Sequence, residues 1–536
     1  MVNNSALSSA FLLLLLLLAV EHQYVDAFAA HPLFITGRNT CTHRLYASKN
    51  NKKGFGTAST RSSGGGKSKI AKTTAEAEPS TVSASTQTTS ASPVSPVMAA
   101  YELGARGAEM QQRGQLNGAV SAFTDALALH PTADRRFLLG MALEENGEPR
   151  RAVEMYDLAC QSSDSGADAV LRHDAAIKLA DLWANDLGDV DRAIRHVDEA
   201  MAEEGYEHST FSNAAAMYQK AFYIAEQGKL LEAIGLWDAA IDGTEEDELV
   251  ADTTSTSNTG KEADDDNISR AVARSHLGRF FRAVAKALLG HDQEAEADFA
   301  ALPVECQYMV DSWKYIAAVH YPQEQRLQGV QPNDQQEVGR LFTGPYTILE
   351  EALASARPDG LVCEFGVFHG KSIRIIASMV GPQVPVDGFD TFNGIPEAWG
   401  DDPAGTYTAA SEIPPVPDNV RFHVGLFSDT LPGYVASLEP PEDLPVRLIN
   451  VDCDLYQGTV EILHHLANRI GPGSVILFDE YLMNQTWKHD EYKAFQEACT
   501  KFGWEYEYLS FSLFSKQAVV RITASESFVG RLDVAA

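Results

Sequence analysis

Small residues recur at a fixed set of offsets between residues 99 and 320. The first copy holds Gly107, Gly114, Ala119, Phe123, Ala126 and Pro131. Gly140, Gly147, Ala152, Tyr156 and Ala159 repeat the offsets. Gly188, Ala193, Val197 and Ala200 form a third copy, and Ala221, Gly228, Ala233, Trp237 and Ala240 a fourth. A weaker fifth has Ala283, Gly290, Ala295 and Phe299. The pattern predicts helix–turn–helix units. Small residues let two antiparallel helices approach closely, the glycine before the second-helix alanine ends the first helix, and the aromatic fills the gap to the next pair. One pair cannot bury its own apolar face, so copies must stack into an all-α solenoid, with a generic helical bundle as the alternative. Alanine-to-alanine spacings run 33, 41, 40 and 62. The long last gap contains residues 243–267, whose acidic, polar composition predicts a disordered insertion.

These offsets resemble tetratricopeptide repeats, although only the first spacing comes near their usual period of about 34. The resemblance implies a concave surface for a peptide or partner domain, or self-association, and the repeats bear no catalytic constellation. The formal net charge of the chain is −32. Residues 28–75 nevertheless contain nine Lys/Arg and no Asp/Glu, so the remaining body is more acidic still. Such a body excludes a nucleic-acid partner, whose phosphates need basic surface. Six scattered cysteines without a CxxC pair exclude a zinc ribbon or a thioredoxin-type site. No run reaches the ~20 apolar residues of a membrane span. Residues 1–27, with the apolar run Phe11–Val20, have the layout of a signal peptide, and 28–75 have transit-peptide composition. Asp26–Pro32 (DAFAAHP) resembles the Ala-Phe-Ala-Pro junction of bipartite plastid presequences, departing from it at Ala30 and His31. This implies plastid import, with the secretory pathway or ER lumen as the alternative and no stable membrane span after processing. Residues 76–98, rich in Ser, Thr, Pro and Ala, predict a disordered linker.

Beyond a polar linker at 321–339, apolar strands are expected at 361–365, 384–389, 420–425, 446–451, 474–478, 506–511 and 518–522, with helical stretches separating the first five. This pattern, over 340–525 with a tail at 526–536, predicts an α/β doubly wound parallel sheet finished by two strands too close for a crossover helix. Such a sheet binds ligands at the carboxyl ends of its strands. The first strand runs through Glu364 and Gly366 to Gly370 and Ser372. Its ExGxxxG pattern departs from the GxGxxG of dinucleotide sites, since an acid stands where that motif begins. A carboxylate suits a cationic ligand, such as the sulfonium and amino groups of S-adenosylmethionine. Gly370 lets the next helix start close to a ligand. Asp390 ends the second strand, where it can accept from a ribose diol or serve as a turn aspartate. Asp452 and Asp454 follow the fourth strand and Asp479 and Glu480 the fifth. Converging carboxylates of this kind suit a hard cation such as Mg²⁺, the alternative being solvated loop acids.

In order and spacing, these motifs, with Phe389–Pro396, Phe427–Pro432 and Asp452–Tyr456, resemble the macrocin O-methyltransferase family over residues 340–522. The resemblance implies a Rossmann-like class I methyltransferase domain, S-adenosylmethionine, a divalent metal and a sugar hydroxyl as acceptor. By position, Glu364 and Gly366 would flank the methionine part of the cofactor, Asp390 would take the ribose, and Phe427 and Ser428 would lie near the adenine. Asp452 would be metal ligand and general base, with Asp479 and Glu480 completing the metal site. Two departures stand out: Glu480 replaces the family's second aspartate, and Cys453 its usual glycine. Trp399 and Trp487 would wall the acceptor or merely pack. The expected activity is O-methylation of a sugar or other small metabolite, with the repeats as a protein-interaction domain. The rival reading is a repeat scaffold with a non-catalytic methyltransferase-like domain. A nicotinamide-dependent oxidoreductase is disfavoured, because the strand-end acids would repel a pyrophosphate.

Overall fold

The computed structural model describes residues 95–162, 169–203, 213–254, 261–320, 340–400, 402–438, 440 and 444–529, with backbone alone over 243–254 and 261–273. The signal, transit and linker expectations for 1–94 and 321–339, and most of the tail, fall outside them.

Five helical hairpins follow one another: α1 (Pro96–Gln112) with α2 (Leu116–Leu129), α3 (Ala133–Glu145) with α4 (Pro149–Cys160), α5 (Ala169–Asn185) with α6 (Val190–Ala202), α7 (Asn213–Glu226) with α8 (Leu230–Thr254), and α9 (Lys261–Leu288) with α10 (Asp292–Ala300). A last helix, α11 (Gln307–Val319), closes the array. The small-residue pattern explains the packing. Ala119, Ala152, Ala193, Ala233 and Ala295 are all buried, as are Phe123, Tyr156, Val197 and Trp237. Gly107 and Gly140 lie against the rings of Phe123 and Tyr156, where a Cβ would press into the aromatic. The turn glycines Gly114, Gly147, Gly188, Gly228 and Gly290 have φ of 72°, 66°, 71°, 76° and 80°, the left-handed conformation that ends a helix.

Two expectations of disorder are corrected. α1 starts at Pro96, inside the stretch 76–98, because proline is preorganised for a first helical turn. Helix also occupies residues 244–254 and 261–267 of the acidic insertion, as extensions of α8 and α9. No glycine or proline interrupts 244–254, so nothing in the backbone stops α8 from running on.

The C-terminal unit opens with α12 (Pro345–Ser355) and holds β1 (Leu361–Phe365), α13 (Lys371–Val380), β2 (Val386–Asp390), β3 (Val420–Val424), α14 (Phe427–Ser437), β4 (Val446–Val451), α15 (Tyr456–Leu466), β5 (Val475–Phe478), α16 (Glu491–Phe502), β6 (Trp504–Phe511) and β7 (Ala518–Ser525). The strand order is β3-β2-β1-β4-β5-β7-β6. The first five strands are parallel, while β7 is antiparallel to both β5 and β6. All seven expected strands form. The expected helix between β2 and β3 does not: the described residues of 391–419 are loop. Pro396, Pro403, Pro414, Pro415 and Pro417 forbid a helix there, and Phe392, Gly394, Gly405 and Tyr407 turn with positive φ.

The two units share one apolar core. Phe222 of α7 packs on Phe514 with ring centroids 4.3 Å apart, and Trp237 lies 5.7 Å from Phe342. Burying a side chain such as Phe222 or Phe342 contributes about 1.5–3 kcal/mol relative to exposure. The hairpin turns of the solenoid meet the α/β unit in succession. Asn117 at the first turn donates to Glu412. Gly147 at the second touches His369 and Arg374, and Gly188 at the third abuts Tyr346. Asp186 pairs with Lys371 at 2.9 Å, and Thr347 Oγ1 donates to Glu226 at 2.7 Å.

Candidate active site

The sheet reverses direction between β1 and β4, since the chain continues from β1 towards β2 and from β4 towards β5. The crevice beyond those two strand ends is the ligand position in this kind of sheet. The loops after β1 and β4 lie against each other there. The Asp452 amide donates to Phe365 O at 2.8 Å. Gly366 has φ 89°, and a Cβ on it would collide with the carbonyl oxygen of Asp452, so only glycine fits. Gly370, at φ 79°, stands immediately before α13, with Pro414 of the 391–419 loop close over it.

Glu364 is fully buried at the end of β1. Its carboxyl accepts from Ser372 Oγ at 3.0 Å and from Asn450 Nδ2 at 3.1 Å. Burial pushes it up to about 8, against the pull of those two donors. Asp390 sits where expected, but its carboxylate already braces the backbone. One oxygen accepts the amides of Val367 and Phe368, each at 2.7 Å, and the other accepts Phe392 N at 2.7 Å. It thus acts as the turn aspartate that clamps the glycine loop, and any ribose contact comes on top of that role. Phe427 begins α14 and meets Phe365 edge-on at 5.5 Å, with Ser428 exposed beside it.

Beyond β4 and β5 the acids gather, although the expected trio does not. Asp452 and Asp479 lie close enough that each acts on the other's carboxyl. Burial raises Asp452 well above the usual carboxylate range, and Asp479, Asp454, Glu364 and Glu491 push in the same direction. Asp479 rises to about 6, chiefly through burial, and Gln517 Nε2 donates to its Oδ1. Glu480 is drawn elsewhere: Lys516 Nζ lies 3.4 Å from its Oε2. Besides Glu364, the glutamate whose charge bears on Asp452 is Glu491, at the start of α16, and its Oε2 accepts Glu480 N at 3.1 Å. Among the described residues, no three His, Cys, Asp or Glu side chains are placed as a metal-ligand set. With an ammonium and an amide already directed at Glu480 and Asp479, the donor set Asp452, Asp479 and Glu480 does not fit Mg²⁺.

The two tryptophans part company. Trp487 is buried among Tyr315 and Tyr492, and so belongs to the packing against α11. Trp399 belongs to the 391–419 loop and donates from Nε1 to Asp490 at 3.2 Å. Nothing in the local sequence marks Lys516, Gln517 or Glu491. The one signal is topological: an antiparallel β7 beside β5 sets its first residue, Ala518, against Phe478, which brings the 512–517 turn to the carboxyl end of β5.

Residues 363–481 match the family described as a methyltransferase domain. The chain is similar to the 8-demethyl-8-(2,3-dimethoxy-alpha-L-rhamnosyl)-tetracenomycin-C 4'-O-methyltransferase of Streptomyces olivaceus, at 31% identity over 159 residues, covering 25% of this chain and 58% of that protein. The chain therefore spans less than two thirds of that relative. Among solved structures, the calicheamicin methyltransferase CalS11 is 19% identical, with 41% of this chain and 93% of that one covered and a TM-score of 0.26. A Podosopora anserina putative kinesin light chain with TPR-like repeats is 17% identical, with 38% of this chain and 93% of that one covered and a TM-score of 0.28. The matched stretch 363–481 contains the glycine loop, the Asp390 clamp and the Asp452–Asp479 pair.

Proposed function

We propose that the chain transfers a methyl group from S-adenosylmethionine to a hydroxyl oxygen of a small molecule. The observation that carries this reading is the Asp452–Asp479 carboxyl pair beside the glycine loop at the switch point of the sheet. The similar tetracenomycin enzyme is named for O-methylation of a rhamnosyl group, which favours a sugar hydroxyl as acceptor.

S-adenosylmethionine, held by the Glu364–Gly370 loop, supplies an electrophilic methyl carbon. Glu364 offers the loop's buried carboxyl, Asp390 fixes the amides of Val367 and Phe368, and Phe427 closes one side. With Asp452 raised well above the usual range and Asp479 to about 6, the pair keeps one proton near neutrality, and its remaining carboxylate takes the proton from the acceptor O–H. The acceptor oxygen forms its bond to the methyl carbon, and the pair from the broken carbon–sulfur bond stays on sulfur. Alignment of oxygen and methyl is the protein's main contribution. No step runs through Mg²⁺. The repeats act first as the support of this domain rather than as a surface for a second protein.

The test is incubation of the full chain with labelled methyl donor and an extract of the source cells, followed by identification of the labelled product. Asp452→Asn should lose the transfer while binding S-adenosylhomocysteine normally; undiminished labelling by that variant would remove Asp452 from the chemistry. Plastid delivery belongs to the same reading. A reporter fused to residues 1–98 should enter the plastid, Phe28→Ala should divert it, and uniform cytosolic signal would refute the address.

A further inference from the structure

The methyl-transfer reading leaves a charge unaccounted for. A cation beside the acceptor oxygen stabilises the partial negative charge it gains while its proton leaves, yet the strand ends supply mostly carboxylates. Lys516 is a half-buried cation among them. Its side chain is 15% exposed, and Nζ lies 3.4 Å from Glu480 Oε2. Burial pulls its ammonium down to about 8, against the charges of Asp479, Asp454 and Asp402, which hold its proton on. Its direct contact is with Glu480 at the end of β5, and the charges at the end of β4 and in the 391–419 loop help to keep it an ammonium.

The turn carrying Lys516 is built to hold it. Lys516 has φ 65°, a left-handed conformation that a long side chain adopts only when its surroundings impose it. Ser512 N donates to Gln517 O at 2.9 Å, and Ser515 N donates to Ser512 Oγ at 2.9 Å. Ser515 Oγ donates to Gln517 Oε1 at 2.6 Å, while Gln517 Nε2 donates to Asp479. Leu482 N donates to Lys516 O at 3.2 Å, which ties the turn to the segment after β5. The same turn thus sets both the lysine and the amide that engages Asp479.

We propose that the ammonium of Lys516 is the resident cation of this site, standing where a divalent metal would otherwise be needed and pairing with the acceptor oxygen as its proton leaves for the Asp452–Asp479 pair. The acceptor's proton ends on a carboxylate, and Lys516 keeps its own throughout. This rests on the methyl-transfer reading for the identity of the acceptor oxygen, but the cation's place in the site can be tested without an acceptor. An ammonium neutralises carboxylates as a point charge, without the six-oxygen shell that a small divalent ion demands.

The experiment titrates Mn²⁺ into the full chain, read by electron paramagnetic resonance in the presence of S-adenosylhomocysteine. The wild type should bind no Mn²⁺ at this site. Lys516→Met should bind one ion per chain, since the carboxylates then lack a counter-charge, and adding Asp479→Asn should abolish that binding. Lys516→Arg keeps the charge and should bind none. A merely structural lysine would not create a metal site when removed, nor would arginine suppress it. One Mn²⁺ in the wild type, lost in Asp479→Asn, would overturn the proposal, as would a folded Lys516→Met chain that binds none. Affinity for S-adenosylhomocysteine, measured alongside, separates the two readings: if the wild type fails to bind it, the methyl-donor assignment falls, whereas the Mn²⁺ result still decides the role of Lys516.

Discussion

Glu364 combines complete burial with a carboxyl raised from 4.5 to about 8. The folded chain therefore holds its proton more tightly than the unfolded chain does. That contribution to stability is complete below pH 4.5 and is lost as pH climbs towards about 8. Glu364→Gln should flatten this decline by up to a few kcal/mol, measured by urea denaturation across that range; an unchanged slope would mean the carboxyl finds a compensating charge. Asp390 makes a different kind of prediction. Its removal strands three backbone amides at once. Asp390→Ala should lower stability by about 1–3 kcal/mol and weaken S-adenosylhomocysteine binding together with it. Lost affinity at full stability would instead single out the ribose contact.

At the scale of elements, the helix turns carry an instructive contrast. Gly147 has φ 66°, and a Cβ there would collide with the Arg374 guanidinium and approach His369 O. Gly147→Ala should destabilise by about 1–2 kcal/mol from the left-handed backbone alone, with the clash added. Gly235, exposed within α8, has nothing near its missing Cβ. Gly235→Ala should stabilise by about 0.5–1 kcal/mol. Thermal melts of the two variants should move in opposite directions. Elements of this kind were legible in the sequence because their causes are local. Alanine spacing gave the hairpins and apolar runs gave all seven strands, including the close pair β6 and β7. The loop at 391–419 was misread as helix although its prolines argued otherwise. The site was legible only as far as strand ends could take it. Glu364, Asp390, Asp452 and Asp479 could be placed by their position after a strand, but which carboxylate faces which depends on side-chain direction and on partners far away in sequence. Lys516 reaches Glu480 across 36 residues and Lys371 meets Asp186 across a domain boundary, and no local pattern encodes either.

For the whole molecule, the Asp186–Lys371 pair links the solenoid to the first residue of the helix that follows the glycine loop. Asp186 is buried, while the Lys371 side chain is 31% exposed on the other side of the contact and so partly screened. Asp186→Ala should cost about 1–3 kcal/mol and reduce S-adenosylhomocysteine affinity through the displaced loop, as followed by calorimetry. Restored affinity in Asp186→Glu would confirm that charge at this contact, and not packing alone, sets the loop. The shared core also has a bearing on how the chain is made. Phe222 and Trp237 leave the ribosome well before their covers, Phe514 and Phe342. At the usual pace of synthesis, roughly 5–20 residues per second, Phe222 waits on the order of 15–60 s for Phe514. During that interval the nascent array shows a greasy seam with nothing to close it. A message cut short after the repeats would leave Phe222 and Trp237 without these covers and yield a sticky product rather than a harmless fragment.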